Sequence, residues 1–150
     1  MPNPARTRRV TAAQVRAYAG KAQEYVDAAQ NEIVAERYIA ATSLAIHAAI
    51  NAADAVCGVR VGQRAAGEAH DQVLALLRTA GGDGLAVEKE LRRLLPLKTK
   101  AEYEPDDVSA GVATKAVERA ERCVQSLARP RRRDEERCDC DQQNVETGLA

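Results

Sequence analysis

The sequence predicts an all-α protein, a four- to five-helix up-and-down bundle with disordered termini, and three observations carry that expectation. Apolar residues recur at three- and four-residue steps through most of the chain between residues 10 and 129. Good helix formers dominate, alanine above all. No useful length of chain alternates apolar and polar residues as a strand would, and no internal repeat is present. Hydrophobic residues are 45% of the chain but aromatics only 3%, with neither Trp nor Phe. The core must therefore be built from Ala, Val, Leu and Ile, and such small side chains favour close helix packing. With 150 residues, one domain can bury a continuous core without disulfides or metal. Residues 1–9 read as a flexible tail, 10–129 as the bundle and 130–150 as a disordered charged tail, in which Arg131-Arg-Arg133 is offset at once by Asp134-Glu-Glu136.

The first helix starts at a capping box, Thr11-Ala-Ala-Gln14, and runs to about Gln30, with Val15, Tyr18, Ala22, Tyr25, Val26 and Ala29 on one buried face. A second helix, about Val34 to Cys57, carries two stripes. Ile39, Ile46, Ile50, Ala53 and Cys57 form a core stripe, and Ser43, His47, Asn51 and Asp54 form a polar seam beside it that packing alone does not require. Gly58, Gly62 and Gly67 mark a loop. A third helix follows, about Glu68 to Thr79, with Val73, Leu74, Leu76 and Leu77 apolar. Gly81-Gly-Asp-Gly84 reads as a break. The fourth helix spans about Leu85 to Leu95, burying Leu85, Leu91, Leu94 and Leu95, and Pro96 is expected to end it. Leu97 to Pro105 is a connector, after which Asp106 or Asp107 caps a last helix to about Arg129.

Charge and cysteine content exclude several function classes. Lys plus Arg and Asp plus Glu are 22 each, so no global field recruits nucleic acid, and any RNA contact must be local. The polar start Met1–Arg9 leads into no apolar run of spanning length; neither a signal peptide nor a membrane span is expected, and the location reads as cytoplasmic. Cys57 and Cys123 fall inside helical patterns, which is no disulfide framework. Cys138-Asp-Cys140 stands without the second ligand pair that a structural zinc site wants, so no metal and no cofactor is expected.

Most of the chemistry lies in Arg60-Val-Gly-Gln-Arg64-Ala-Ala-Gly-Glu-Ala-His70, where an imidazole follows a permanent cation with five residues between them. A reaction on a phosphate that moves a proton needs a group titrating near neutrality for the proton and a cation with a fork of donors for the phosphate charge. His70 has the residue type for the first task, as base or acid, and Arg64 for the second. The bland alternative is a pair of solvated surface residues. Asn51 and Asp54 either orient this pair or form a hydrogen-bonded seam that sets helix register; His47 fits the seam better. The Tyr103 hydroxyl either reaches a cleft, as a phosphate or nucleotide contact, or accepts a nucleotide from a modifying partner enzyme; the alternative is an amphipathic ring that covers the bundle end. Lys98 and Lys100 either assist phosphate binding or are merely solvated.

Three segments together resemble a known family: Ala45-Ile-His-Ala-Ala-Ile-Asn51-Ala-Ala-Asp54-Ala on the second helix, Arg64 to His70, and Lys100-Ala-Glu-Tyr103 ahead of a last Ala-rich helix. The resemblance, over about Val10 to Arg129, is to the HEPN domain, whose functional element is an arginine followed after four to six residues by a histidine. It implies a helical bundle that forms a homodimer with two motifs facing one cleft. It also implies a metal-independent endoribonuclease of a toxin-antitoxin or defence module, acting on RNA and paired with a nucleotidyltransferase-like antitoxin. Other members of that family lack catalysis and bind nucleotides or proteins. Ala65, which follows the arginine where active members usually carry a polar residue, points toward that second class.

Overall fold

A computed structural model describes residues 6–67 and 69–128. In chain order these form β1 (Thr7–Arg9), α1 (Ala12–Val34), α2 (Tyr38–Val61), β2 (Gln63–Ala65), α3 (His70–Arg78), α4 (Gly81–Glu102) and α5 (Ala110–Gln125), closed by a short 3-10 turn, Ser126–Ala128. Five helices make this an all-α bundle. Cys138, Cys140 and the Arg131–Arg133 run lie outside the described residues.

The α1 capping box forms as expected: Thr11 Oγ1 accepts from the Gln14 N–H at 3.2 Å, and Gln14 Oε1 accepts from the Thr11 N–H at 3.0 Å. Ala22, Val26 and Ala29 are buried beneath it. The helix runs one turn beyond Gln30, because the chain reverses only at Glu36, whose φ of 59° is left-handed. An Arg37–Glu32 pair brackets that turn.

Helix α2 is the centre of the bundle and packs against α1, α4 and α5. Its alanines are buried around most of the circumference, at 41, 45, 48, 49, 52, 53 and 55. The single core stripe expected of it is therefore too narrow. Ile46, Ala53 and Cys57 lie in the core, but Ile39 is 42% exposed, because the helix begins at Tyr38 and its first turn overhangs the bundle. By length and composition alone α2 is long and apolar enough to cross a membrane, and 56% of that apolar window is buried inside the protein against its neighbouring helices.

Two glycines expected to break helices instead lie within them. Gly58 sits inside α2, where an added Cβ would lie 2.6 Å from Val15 Cγ2 of α1, so its bare backbone permits the close α1–α2 approach. The helix ends four residues later, at Gly62, with φ of 68°. Gly84 lies in the first turn of α4, and a Cβ there would come within 2.2 Å of the Leu77 carbonyl oxygen and 2.6 Å of the Ala80 Cβ. Since the nearest obstacle is backbone, α3 and α4 would have to separate. Gly84→Ala is expected to destabilise the protein by about 2–3 kcal/mol, read as a drop in urea midpoint by circular dichroism. An unchanged midpoint would contradict this packing.

Helix α4 also passes through Pro96 and continues to Glu102. Proline removes one backbone donor, but Leu94 and Ala101 on either side are buried and hold the helix against the bundle. Leu85, placed in the core by its periodicity, is 53% exposed because α4 starts earlier, at Gly81, and buries Val87, Leu91 and Leu94 instead. The cap of α5 is Ser109 rather than Asp106 or Asp107: its side chain accepts from the Val112 N–H at 3.2 Å.

Two acidic residues of α4 link it to its neighbours. Glu90, largely buried, accepts from Arg119 at 2.9 Å and from Arg122 at 3.2 Å. Burial pushes its carboxyl up, but the two guanidiniums outweigh burial and hold it below the usual range. Glu88 takes Arg78 from α3 at 3.1 Å. Burial pushes the thiols of Cys57 and Cys123 up to about 12, so both remain protonated core residues.

The segment expected to be a loop contains a strand. Residues 7–9, assigned from sequence to the N-terminal tail, pair antiparallel with 63–65 in the register Thr7↔Ala65, Arg8↔Arg64 and Arg9↔Gln63. The ladder continues at both ends, where the Val10 N–H donates to the Gly62 carbonyl at 3.0 Å and the Ala66 N–H to the Arg6 carbonyl at 2.8 Å.

Candidate functional site

The path from α2 into α3 determines where Arg64 and His70 lie. Gly62 ends α2 in a left-handed turn, β2 carries Arg64 along the ribbon, and His70 is the first residue of α3. Pairing with β1 fixes the arginine's backbone, and its half-buried side chain is held from two sides. The guanidinium carbon lies 5.8 Å from the centroid of the Tyr18 ring on α1, a cation–π distance. Its field also acts on Asp54 of α2, where it opposes the larger effect of burial on that carboxyl. A further donor is spent locally, Arg64 Nη1 to the Ala65 carbonyl at 3.2 Å.

Asp54 is mostly buried, and burial pushes its carboxyl up to about 6 despite the Arg64 cation. The site thus contains a carboxyl that changes charge near neutral pH beside a permanent cation. His70 is half-buried and has no hydrogen-bond, ion-pair or ring partner among the described residues, so both its ring nitrogens remain available to a ligand. Ala65, directly after the arginine, is only 8% exposed. That position faces the core, where a polar side chain would need a buried partner. Behind the motif, Gly67 leaves room for the Gln72 side chain, since a Cβ there would lie 2.4 Å from Gln72 Oε1.

The other residues singled out from the sequence lie elsewhere. Asn51 is one turn from Asp54, but its Nδ2 donates to the His47 carbonyl at 2.8 Å, the back-bonding of a helix-surface amide. His47 stacks near Tyr25 of α1, with ring centroids 5.5 Å apart, and its Nε2 lies 3.5 Å from Glu102 Oε1 at the end of α4. Ser43 Oγ donates to the same oxygen at 3.5 Å. Two turns separate His47 from Asp54, about 10 Å of helix rise. Helices α2 and α4 run antiparallel, because Arg60 pairs with Asp83 at one end and Ser43 with Glu102 at the other. Lys98, Lys100 and Tyr103 therefore sit level with the first half of α2, away from Arg64. Tyr103 is 76% exposed, so its ring covers little of the bundle end. That region opens into a groove of about 810 Å³, lined in part by Arg37, Tyr38, Ile39, Ser43, Glu102 and Val108.

Arg64 acts on Asp54 through its field, His70 opens α3 without a hydrogen bond or ion pair to either, and His47 and Ser43 belong to a second cluster around Glu102. Tyr18, whose ring lies against the Arg64 guanidinium, is legible in the sequence only as a core position of α1, and no local signal marks the contact, because it depends on how β2 passes α1.

Compared with known proteins, residues 15–130 match a family model described as HEPN domain. No curated protein matches the chain.

Proposed function

The chain belongs to the HEPN domain family, which includes ribonucleases and nucleotide-binding modules, and on that premise we propose that it is a metal-independent endoribonuclease of a toxin or defence module. His70 takes the proton from the ribose 2′-hydroxyl, or returns one to the leaving 5′-oxygen. Arg64 binds the scissile phosphate and stabilises the charge that grows on its oxygens. The observation that carries this reading is the unequal setting of the pair: Arg64 lies over the Tyr18 ring, donates to the Ala65 carbonyl and stands in the field of Asp54, whereas His70 has both ring nitrogens uncommitted among the described residues. A cation held in place costs little reorganisation when a phosphate arrives, and an uncommitted imidazole can exchange a proton with substrate.

One imidazole cannot be base and acid on opposite sides of the scissile bond in the same step. Two copies of the motif across a homodimer supply both, so we infer a dimer with the motifs facing one cleft. A nucleotidyltransferase-like antitoxin is the partner this reading implies, and the cytoplasm is where it places the protein. A second reading, a non-catalytic module that binds a nucleotide or a protein partner, draws support from Ala65, which adds no polar group beside Arg64.

The test is cleavage of a broad panel of RNAs by the purified protein in excess chelator. Cleavage under those conditions supports the ribonuclease. Its absence across the panel favours the binding module, which nucleotide titration by calorimetry then examines.

A further inference from the structure

The register of the β1–β2 ribbon sets Arg8 directly opposite Arg64. In an antiparallel pair, opposed residues project to the same face and successive residues to alternate faces. Arg8 therefore shares a face with Arg64, and Arg6, two residues earlier on the continuing ladder, belongs to that face too. Arg9 and Gln63 occupy the other. The flanking pairs, 10 with 62 and 6 with 66, are joined by backbone hydrogen bonds, so the alternation makes 8 with 64 a hydrogen-bonded pair, with Cα atoms about 5.5 Å apart.

Two like charges directly opposite each other destabilise a ribbon, and among the described residues Arg8 has no side-chain partner that relieves the opposition. Arg6, Arg8 and Arg9 are exposed, and none has an ion-pair or hydrogen-bonding side-chain partner among the described residues. Most of the arginines in the bundle are arranged differently: Arg37, Arg60, Arg78, Arg92, Arg119 and Arg122 all face a carboxylate. Arg6 and Arg8, unpaired among the described residues, lead along one face to Arg64, and such a row is a surface that an external polyanion would complete, with an extended strand presenting its cations at a spacing of about 6–7 Å, close to that of successive phosphates in a single strand.

We propose that Arg6 and Arg8 form a phosphate-binding track that leads single-stranded RNA into the Arg64–His70 site, with Arg8 holding the phosphate next to the scissile one. The choice of RNA as ligand rests on the ribonuclease reading above. The track itself rests on the ribbon, and its test reads binding alone.

The probe is a fluorescent 2′-O-methyl oligouridylate, which lacks the attacking hydroxyl, titrated by anisotropy at several salt concentrations. Each phosphate contact to a single strand contributes about 0.7 to the slope of log K against log salt. Arg8→Gln is expected to lower the slope by about 0.7 and weaken binding about fivefold at 0.1 M salt. Arg8→Lys is expected to restore most of both. Arg9→Gln, which removes the same charge one residue along but from the other face, leaves the slope as in wild type. Ligand-free Arg8→Gln melts no lower than wild type, since it loses a like-charge opposition.

Wild-type slope and affinity in Arg8→Gln would overturn the track while leaving the ribonuclease untouched. Equal losses in Arg8→Gln and Arg9→Gln would replace the track with a diffuse basic field and overturn it as well. The expected losses in Arg8→Gln, found together with a wild-type protein that binds the probe but cleaves no RNA, would instead uphold the track and remove the catalytic reading.

Discussion

His70→Ala and Arg64→Ala are each expected to reduce RNA cleavage by about 10²–10⁴-fold while leaving the helical content unchanged. The two losses have different physical origins. The His70 imidazole is half-buried and has no hydrogen-bond, ion-pair or ring partner among the described residues, so its removal is expected to withdraw proton transfer with little cost to the bundle. The Arg64 guanidinium lies over Tyr18 and faces Asp54, so its removal withdraws a preorganised cation and also leaves a buried carboxyl without its counter-charge. Thermal melts separate the cases: His70→Ala melts near wild type, and Arg64→Ala melts lower above pH 6. Arg64→Lys keeps the charge but loses the planar fork that stacks on the ring, and it is expected to recover only part of the activity. Full activity in either alanine variant would exclude that residue from the chemistry.

The second large effect belongs to Asp54. In the unfolded chain its carboxyl titrates near the ordinary aspartate value of 3.8, and in the folded chain burial pushes it up to about 6. Between those values the folded protein holds a proton that the unfolded chain has lost, so stability falls as pH rises from about 4 to 6 and is level above it. A difference of about two pH units corresponds to on the order of 3 kcal/mol. Asp54→Asn removes the penalty: the variant is expected to be more stable by on the order of 2–3 kcal/mol at pH 7 and to lose the slope between pH 4 and 6 in urea denaturation. It is also expected to cleave RNA at least tenfold more slowly, because the carboxylate no longer helps to hold Arg64. A gain in stability joined to a loss of activity is the signature of a strained functional group. A loss of stability at pH 7 would mean that Asp54 supports the fold instead.

How far the sequence reveals such a site depends on whether the chain is read locally or across distance. The α1 capping box is local, and Thr11 and Gln14 make the bonds their spacing announces. The apolar period of α1 and α5 is equally legible because each buries one face. Helix α2 is harder: with alanines buried around most of its surface, periodicity does not say which way it points, and Ile39 falls outside the core. Gly58, Gly84 and Pro96 mislead for a shared reason. Each is a helix breaker on intrinsic propensity, and each is retained inside a helix because tertiary contacts decide: close approach at the two glycines, burial of flanking residues at the proline.

The same distinction runs through the site. Arg64 and His70 are visible as residue types at a spacing, and Asp54 as an unneeded polar residue beside a core stripe. That Arg64 meets Tyr18 and opposes Arg8, while His47 turns to Glu102, depends on pairings between segments 45 or more residues apart. No periodic pattern encodes those partners, and a three-residue strand is too short to show alternation.

The central claim is that the imidazole and guanidinium of this motif drive attack by a ribose 2′-hydroxyl without a metal. Its most direct measurement compares an RNA oligonucleotide with the same sequence carrying a single 2′-deoxy substitution at the mapped cleavage site, both incubated with wild-type protein in excess chelator and analysed by mass spectrometry. The account predicts that the RNA is cut to a 2′,3′-cyclic phosphate and a 5′-hydroxyl end and that the substituted strand survives at that position. Cleavage of the deoxy-substituted strand there, or cleavage that disappears in chelator, would contradict it.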